Sequence, residues 1–204
     1  MAASKPQIRS LFATPIAIHF LPVAQDVNAQ WRPLILERAQ SGQRGQGWRS
    51  GPDFAAWGGE PVQTLFRVAR DLADGITTTR SGARVNLEWK IEAVATVRQR
   101  GEHCDIAARS GPFWSGVYYV DDGYAKSDDA ALGGECELAD PRGALPSLGE
   151  YGFRIPGGQT AGRTELIRPQ TGMIILHPSW LARGERRHEG EDRRVTVEFD
   201  LTTP

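Results

Sequence analysis

The chain reads as a mainly β protein, an antiparallel double-sheet fold of the jelly-roll kind with one or two N-terminal helices packed on a sheet. Three observations predict it. Short strand-like stretches, Trp114–Val120, Glu135–Ala139, Thr164–Arg168, Met173–His177 and Arg194–Leu201, follow one another through the second half. Turns rich in Gly and Pro separate them, and helical periodicity is confined to the part before Val85. At 204 residues the chain has the length of one domain with a full core, so residues 1–204 are expected to form a single domain.

Taken in order, Leu11–Leu21 is the predicted first strand. After Asp26, Val27, Trp31, Leu34 and Ile35 have partial helical spacing, which Pro33 weakens. The following SGQRGQGWRSGPDFAAWGG is predicted as a surface loop pinned by Trp48, Phe54 and Trp57. Pro61–Ala73 carries the strongest helical pattern, with Val62, Leu65, Phe66, Ala69, Leu72 and Ala73 on one face. Pro61 suits its first turn and Gly75 a left-handed stop. From Val85 the period becomes two: Leu87, Trp89, Ile91, Ala93, Ala95 and Val97 alternate with Glu88, Lys90, Glu92, Thr96 and Arg98, the pattern of a strand with one face on the core.

Composition narrows the function. With 24 basic and 25 acidic side chains the net charge is −1, which supplies no field for nucleic acid or an anionic membrane. Cys104 and Cys136 are too few for a disulfide framework and are expected to be reduced thiols. Lys5 and Arg9 precede an apolar run as in a signal peptide, but Pro15, His19 and Pro22 interrupt it, so an entry strand is expected instead. No other apolar run has the length of a membrane span, and a cytoplasmic location is expected. The acidic loop with Asp121, Asp122, Asp128 and Asp129 lacks calcium-ligand spacing and reads as solvated. Nothing in the sequence specifies an oligomeric state.

The stretch that organises the rest is Ala93–Val120, strand, turn-rich loop, strand, with His103, Cys104, Asp105 and Arg109 in the loop. Together with LFATPI (Leu11–Ile16), GWRSGPDF (Gly47–Phe54), FWSGVYYVDDG (Phe113–Gly123), LGGECELADPRG (Leu132–Gly143), IRPQTGMIILHPSWL (Ile167–Leu181) and RRVTVEFDL (Arg193–Leu201), it resembles a bacterial family of 2-oxoglutarate/Fe(II)-dependent oxygenases. The resemblance implies a double-stranded β-helix, a cupin-like jelly roll. It also implies a His-x-His or His-x-Asp pair and a distal His holding iron, and an Arg on the last strand gripping the far carboxylate of 2-oxoglutarate.

Carried over by position, the proximal pair falls on Ala107 and Arg109 and the distal His on Arg183. Alanine has no lone pair and arginine has five donors and no acceptor, so none of the three ligates a metal. The cosubstrate half of the pattern is present: Arg194 lies eleven residues after Arg183, Thr196 shares its face, and Tyr118 joins them as a cofactor-binding position. His103, Asp105 and His188 are displaced metal-ligand candidates, each a few residues from an expected position on strands that the resemblance makes antiparallel neighbours.

The arginines themselves allow two accounts. Arg98, Arg109, Arg183 and Arg194 either pair internally, with Glu102, Asp105, Glu135, Glu137, Asp140 and Glu198 as candidates, or converge on a pocket for an anionic ligand such as a dicarboxylate. His177, in place of an apolar residue before PSWL, is expected to pack near the barrel end. Two functions stay open. One is a pseudoenzyme of this family, free of Fe(II), with an Arg-lined pocket that keeps 2-oxoglutarate or another small anion. The other is an active 2-oxoglutarate-dependent dioxygenase or hydroxylase with a displaced metal site.

Overall fold

A computed structural model describes residues 13–40, 47–141 and 164–204. Its described strands form two antiparallel sheets. The larger has the order β1 (Ala17–Phe20), β8 (Met173–Pro178), β5 (Trp114–Asp121), β10 (Arg194–Thr202), β3 (Lys90–Arg98), β2 (Trp48–Arg49). The smaller has the order β4 (Cys104–Ala107), β9 (Arg183–Glu185), β6 (Cys136–Leu138), β7 (Glu165–Ile167). From β3 to β10 the chain passes from one sheet to the other at every connection except β6 to β7, which pair side by side within the smaller sheet. This winding lays a hairpin-like ribbon around a common interior and gives the double-sheet fold that the strand pattern predicts.

Three helices, α1 (Ala24–Ala39), α2 (Phe54–Trp57) and α3 (Pro61–Ile76), cover the outer face of the larger sheet. Alternation on β10 explains why they stay there. Val195, Val197, Phe199 and Leu201 point to the helices and, with Ala93, Ala95 and Val97 of β3, meet Trp31, Ile35, Phe54, Leu65 and Ala69 in the principal apolar core. The other face of the same strands, carrying Thr96, Arg98, Arg194, Thr196 and Glu198, points between the sheets. A smaller apolar cluster of Val117, Tyr119, Cys136, Leu138, Met173, Ile175 and Leu181 fills the rest of that space. Both cysteines are free thiols, Cys136 buried and Cys104 part-exposed. No helix among the described residues is long and apolar enough to cross a membrane.

The structure corrects several boundaries. β1 is shorter than the predicted strand, whose residues Leu11 and Phe12 lie outside the described ones. Helix α1 continues through Pro33 because Val27, Trp31 and Ile35 bury one stripe on the sheet and Trp31 donates its indole N–H to Gly58 O at 2.7 Å. The glycine- and serine-rich stretch contains β2 and α2, with Phe54 edge-on to Trp31 and Trp57; its residues 41–46 lie outside the described ones, as does the end of the DPRG block. α3 runs past Gly75 and ends at the extended Thr77, whose hydroxyl donates to Ala73 O at 2.6 Å. β3 starts at Lys90 rather than Val85, and of its polar face Thr96 and Arg98 turn to the barrel interior while Lys90 and Glu92 are exposed.

One close approach is specified by a glycine. A Cβ on Gly116 of β5 would lie 2.5 Å from Cε2 of the buried Phe199 ring. Gly116→Ala therefore overpacks the sheet–helix core, and urea denaturation is expected to show a loss of about 1–3 kcal/mol with an unchanged m-value.

Candidate functional site

The site is built on the inward face of β10 and on the segments that look at it across the barrel. Glu198 of β10 is 3% exposed and meets four arginines, each from a different segment. Arg49 of β2 approaches Oε2 at 2.6 Å, Arg109 of the loop after β4 approaches the same oxygen at 2.6 Å, and Arg183 of β9 and Arg98 of β3 approach Oε1 at 3.4 and 3.6 Å. Arg109 also pairs with Asp200 at 2.7 Å. It is held in place by its own backbone, whose N–H donates to Ser179 O at 2.8 Å while the Ser179 hydroxyl bonds Pro112 O.

A second buried carboxylate, Glu185 of β9, accepts from the Tyr119 hydroxyl at 3.2 Å and faces Arg98 at 2.9 Å, Arg183 at 3.6 Å and Arg194 at 3.9 Å. Arg98 Nη1 and Glu185 Oε2 are close but out of line, and neither makes a hydrogen bond. The connected network contains five arginines (49, 98, 109, 183, 194) and three carboxylates (185, 198, 200), a formal excess of two positive charges.

Protonation follows from this crowding. Burial alone pushes the Glu198 carboxyl up, but Arg183, Arg49 and Arg98 overcome it and hold the group well below the usual carboxylate range. Burial works against the Arg183 charge, and Glu198 and Glu185 more than restore it. Burial, with Arg183 and Arg109 adding to it, pushes the His177 imidazole down to about 4. His177 is therefore neutral at pH 7. Its Nδ1 lies 2.9 Å from Pro178 O, an acceptor, so the proton sits on Nδ1 and Nε2 carries the lone pair.

The sequence-derived positions separate into three groups. Ala107 and Arg183 face each other across the β4–β9 pair, and Arg109 reaches the same cluster, so the family's metal-ligand positions do come together. They line a cavity of about 100 Å³ with Cys104, Asp105, Ser115, Gly116, His177 and Glu198. Arg194 and Thr196 point inward but are committed elsewhere. Arg194 is 1% exposed, donates from Nε to Asp122 O at 3.0 Å and from Nη1 to Gly134 O at 2.5 Å, and lies over the Tyr124 ring. Thr196 bonds Thr96 at 2.6 Å. Tyr118 requires correction: alternation turns it to the helices, where its hydroxyl donates to Asn28 Oδ1, and the inward neighbour is Tyr119.

His103 and Asp105 sit together on the exposed side of the barrel mouth, 3.4 Å apart. His188 is buried at the other end of that edge, with Nε2 3.1 Å from Asp192 O and its ring beside Tyr124. Its backbone pairs with Glu102, so the antiparallel neighbourhood was read correctly, but the three side chains do not converge. Among the described residues no group of three or more His, Cys, Asp or Glu is arranged to hold a metal. The interior carboxylates Glu185 and Asp200 were not among the candidates for pairing; alternation with Glu198 on the predicted last strand was the available signal for Asp200, and Glu185 had none because β9 was not predicted.

The sequence of residues 95–200, just over half the chain, matches the family model described as "Putative 2OG-Fe(II) oxygenase". The chain belongs to the 2OG-Fe(II) oxygenase family. Its fold is similar to that of a Pseudomonas putida prolyl-4-hydroxylase, with 12% identity over 95% of this chain and 90% of that one and a TM-score of 0.61. It is also similar to a Trichoplax adhaerens prolyl hydroxylase solved with a hypoxia inducible factor peptide fragment, with 12% identity over 92% and 83% and a TM-score of 0.63. HygX of Streptomyces hygroscopicus, solved with nickel and 2-oxoglutarate bound, is 15% identical over 93% and 83%, with a TM-score of 0.58. No curated protein matches the sequence. At these identities the structural neighbours establish the double-stranded β-helix and no more.

The residues at this oxygenase-family member's ligand positions do not fit a divalent iron. Ala107 has nothing to donate, and a guanidinium about 5 Å from a dication is repelled by roughly 6–7 kcal/mol at an effective dielectric near 20. The fit to 2-oxoglutarate is also changed, because Arg194 keeps only Nη2 without a partner and does not present a two-pronged grip to a carboxylate.

Acid sensitivity follows from His177 and Glu198. The unfolded chain protonates the imidazole near 6.5 and the folded one only near 4, so stability is lost as pH falls between those values, by about 3 kcal/mol in all. Glu198, held low in the fold, adds a further loss below the ordinary carboxylate range of about 4.5. Urea titrations at stepped pH are expected to show both phases, and His177→Gln to remove the first.

Proposed function

We propose that this chain is a non-catalytic member of the 2OG-Fe(II) oxygenase family whose barrel works as an arginine-lined receptor for a small anionic ligand. The observation that carries the reading is Arg183. It occupies the position facing Ala107 at which the family resemblance puts a histidine, its side chain is 9% exposed, and it is held on Glu198 and Glu185. A fixed positive charge there takes the place of a metal cation rather than coordinating one. The excess of two positive charges over the network's carboxylates supports an anion as the natural partner of the interior.

Without the metal, the steps that activate O2 have no site, so the residues are left with binding and orientation. Arginine forks suit carboxylate and phosphate oxygens, and their burial in a low-dielectric interior strengthens each contact.

Anaerobic calorimetric titration of metal-free protein with Fe(II) or Mn(II), with and without 2-oxoglutarate, tests the first half of the proposal. No saturable metal binding and no 2-oxoglutarate consumption are expected. Micromolar metal binding that disappears in His103→Ala or His188→Ala would establish the displaced-site oxygenase instead. The second half is tested by thermal unfolding with 2-oxoglutarate, other dicarboxylates and inorganic oxyanions at constant ionic strength. At least one anion is expected to stabilise the fold, by about 2.7 kcal/mol at a hundredfold excess over its Kd.

A further inference from the structure

The cavity beside Ala107 has a donor and acceptor pattern more specific than "anionic ligand". Its floor and walls combine Arg183, Arg109, Ser115, His177 and Glu198 with the small side chain of Ala107, which leaves the room a ligating histidine would fill. At about 100 Å³ the space exceeds what a single water needs several-fold and accommodates a compact ion.

Its positive wall has donors to spare. Arg183 engages the two carboxylates through Nη2 alone, and its Nε and Nη1 have no hydrogen-bond partner among the described residues. A guanidinium nine-tenths buried with its other two nitrogens uncommitted is a built half-site for an oxyanion. Arg109, by contrast, has both terminal nitrogens on carboxylates, Nη2 on Glu198 and Nη1 on Asp200, and contributes mainly charge.

The opposite wall is an acceptor. His177 spends its only proton on Pro178 O, which leaves the lone pair of Nε2 without a partner among the described residues in a side chain that lines the cavity. Ser115 likewise gives its proton to Asp200 Oδ1 at 2.6 Å and keeps lone pairs. A fully deprotonated oxyanion would satisfy Arg183 and oppose lone pair to lone pair at His177. An oxyanion that still carries one proton satisfies both, accepting from Arg183 and donating O–H to Nε2.

Resting on the anion-receptor reading above, we infer that the cavity at the former metal position binds a small protonated oxyanion of the hydrogen phosphate or bicarbonate class, gripped by Arg183 and selected by His177. The ligand does not lie at Arg194, which spends Nε on Asp122 O and Nη1 on Gly134 O and has only Nη2 left, too little for a two-pronged grip.

Calorimetry on the full chain at pH 7 with inorganic phosphate, bicarbonate and sulfate tests this. Sulfate matches phosphate in shape and lacks the proton. Phosphate or bicarbonate is expected to bind at least about tenfold more tightly than sulfate, the factor that one unmet buried hydrogen bond commands. Arg183→Gln should abolish saturable binding, while Arg186→Ala, on the exposed surface beside Glu137, should leave it unchanged. Equal affinity for phosphate and sulfate on the unaltered chain overturns the protonated class, and it does so whether or not Arg183→Gln folds. Phosphate binding retained in a folded Arg183→Gln overturns the location. If no oxyanion binds but a dicarboxylate stabilises the fold, this inference fails and the anion-receptor reading stands; micromolar metal binding removes both.

Discussion

Glu198 is a carboxylate that the fold cannot leave alone. Buried without partners, an ionised carboxyl costs several kcal/mol in effective desolvation and would protonate or draw water inward. Here it is held charged by guanidiniums from β2, β3, the loop after β4, and β9. Those four segments belong to both sheets and to the edge next to the helices, so one side chain on β10 fixes how the sheets face each other at the barrel mouth. A metal bound by residues from β4, its loop and β9 would tie together the smaller-sheet elements. The carboxylate cluster instead ties the smaller sheet to the larger one, through Arg183 and Arg109 on one side and Glu198 and Asp200 on the other.

That clamp is affordable because the apolar core lies elsewhere. The helices and the outward face of the larger sheet bury Trp31, Phe54, Leu65, Val197 and Phe199 with no charged group among them. Strand alternation makes the division automatic: at every second residue of β3 and β10 the chain hands a side chain to the core, and at the others to the barrel. Folding stability can therefore rest on one face while the opposite face changes its chemistry. Alanine and arginine at the family's ligand positions in the barrel leave the principal core untouched.

What was legible in the sequence follows the same division. The helix at Pro61 was readable because its buried residues repeat with the helical period, and β5, β8 and β10 because short apolar runs between turn residues mark strands buried on both faces. β2 was not, since two residues carry no period, and the path of α1 through Pro33 was decided by Trp31 and its tertiary contacts rather than by propensity. In the site, the positions Ala107, Arg109 and Arg183 could be placed by family spacing, and they converge. Of their partners Glu198 was among the candidates, and Glu185 and Asp200 were not. Glu185 becomes interior only through the β4–β9–β6 pairing, and Tyr119 rather than Tyr118 faces it because register decides the face and adjacent tyrosines give no clue to which one wins. Arg194 kept its spacing, yet its direction depends on the close approach of Gly134, where a Cβ would meet the guanidinium.

Arginines at the positions where the family resemblance puts metal ligands call for an explanation beyond filling space. Apolar residues of similar volume would have filled it as well, since buried ion pairs replaced by well-packed hydrophobic groups are often neutral or more stable. Five arginines against three carboxylates also repel one another in a medium that screens them poorly. A plug has no use for that surplus. On the proposed receptor reading the surplus has a use, because an entering anion would convert the residual repulsion into attraction, with Glu198, Glu185 and Asp200 offsetting part of the positive charge in the empty state. On the proposed reading the carboxylates and the anion would share one set of guanidiniums, five against three carboxylates, so that neither alone saturates it.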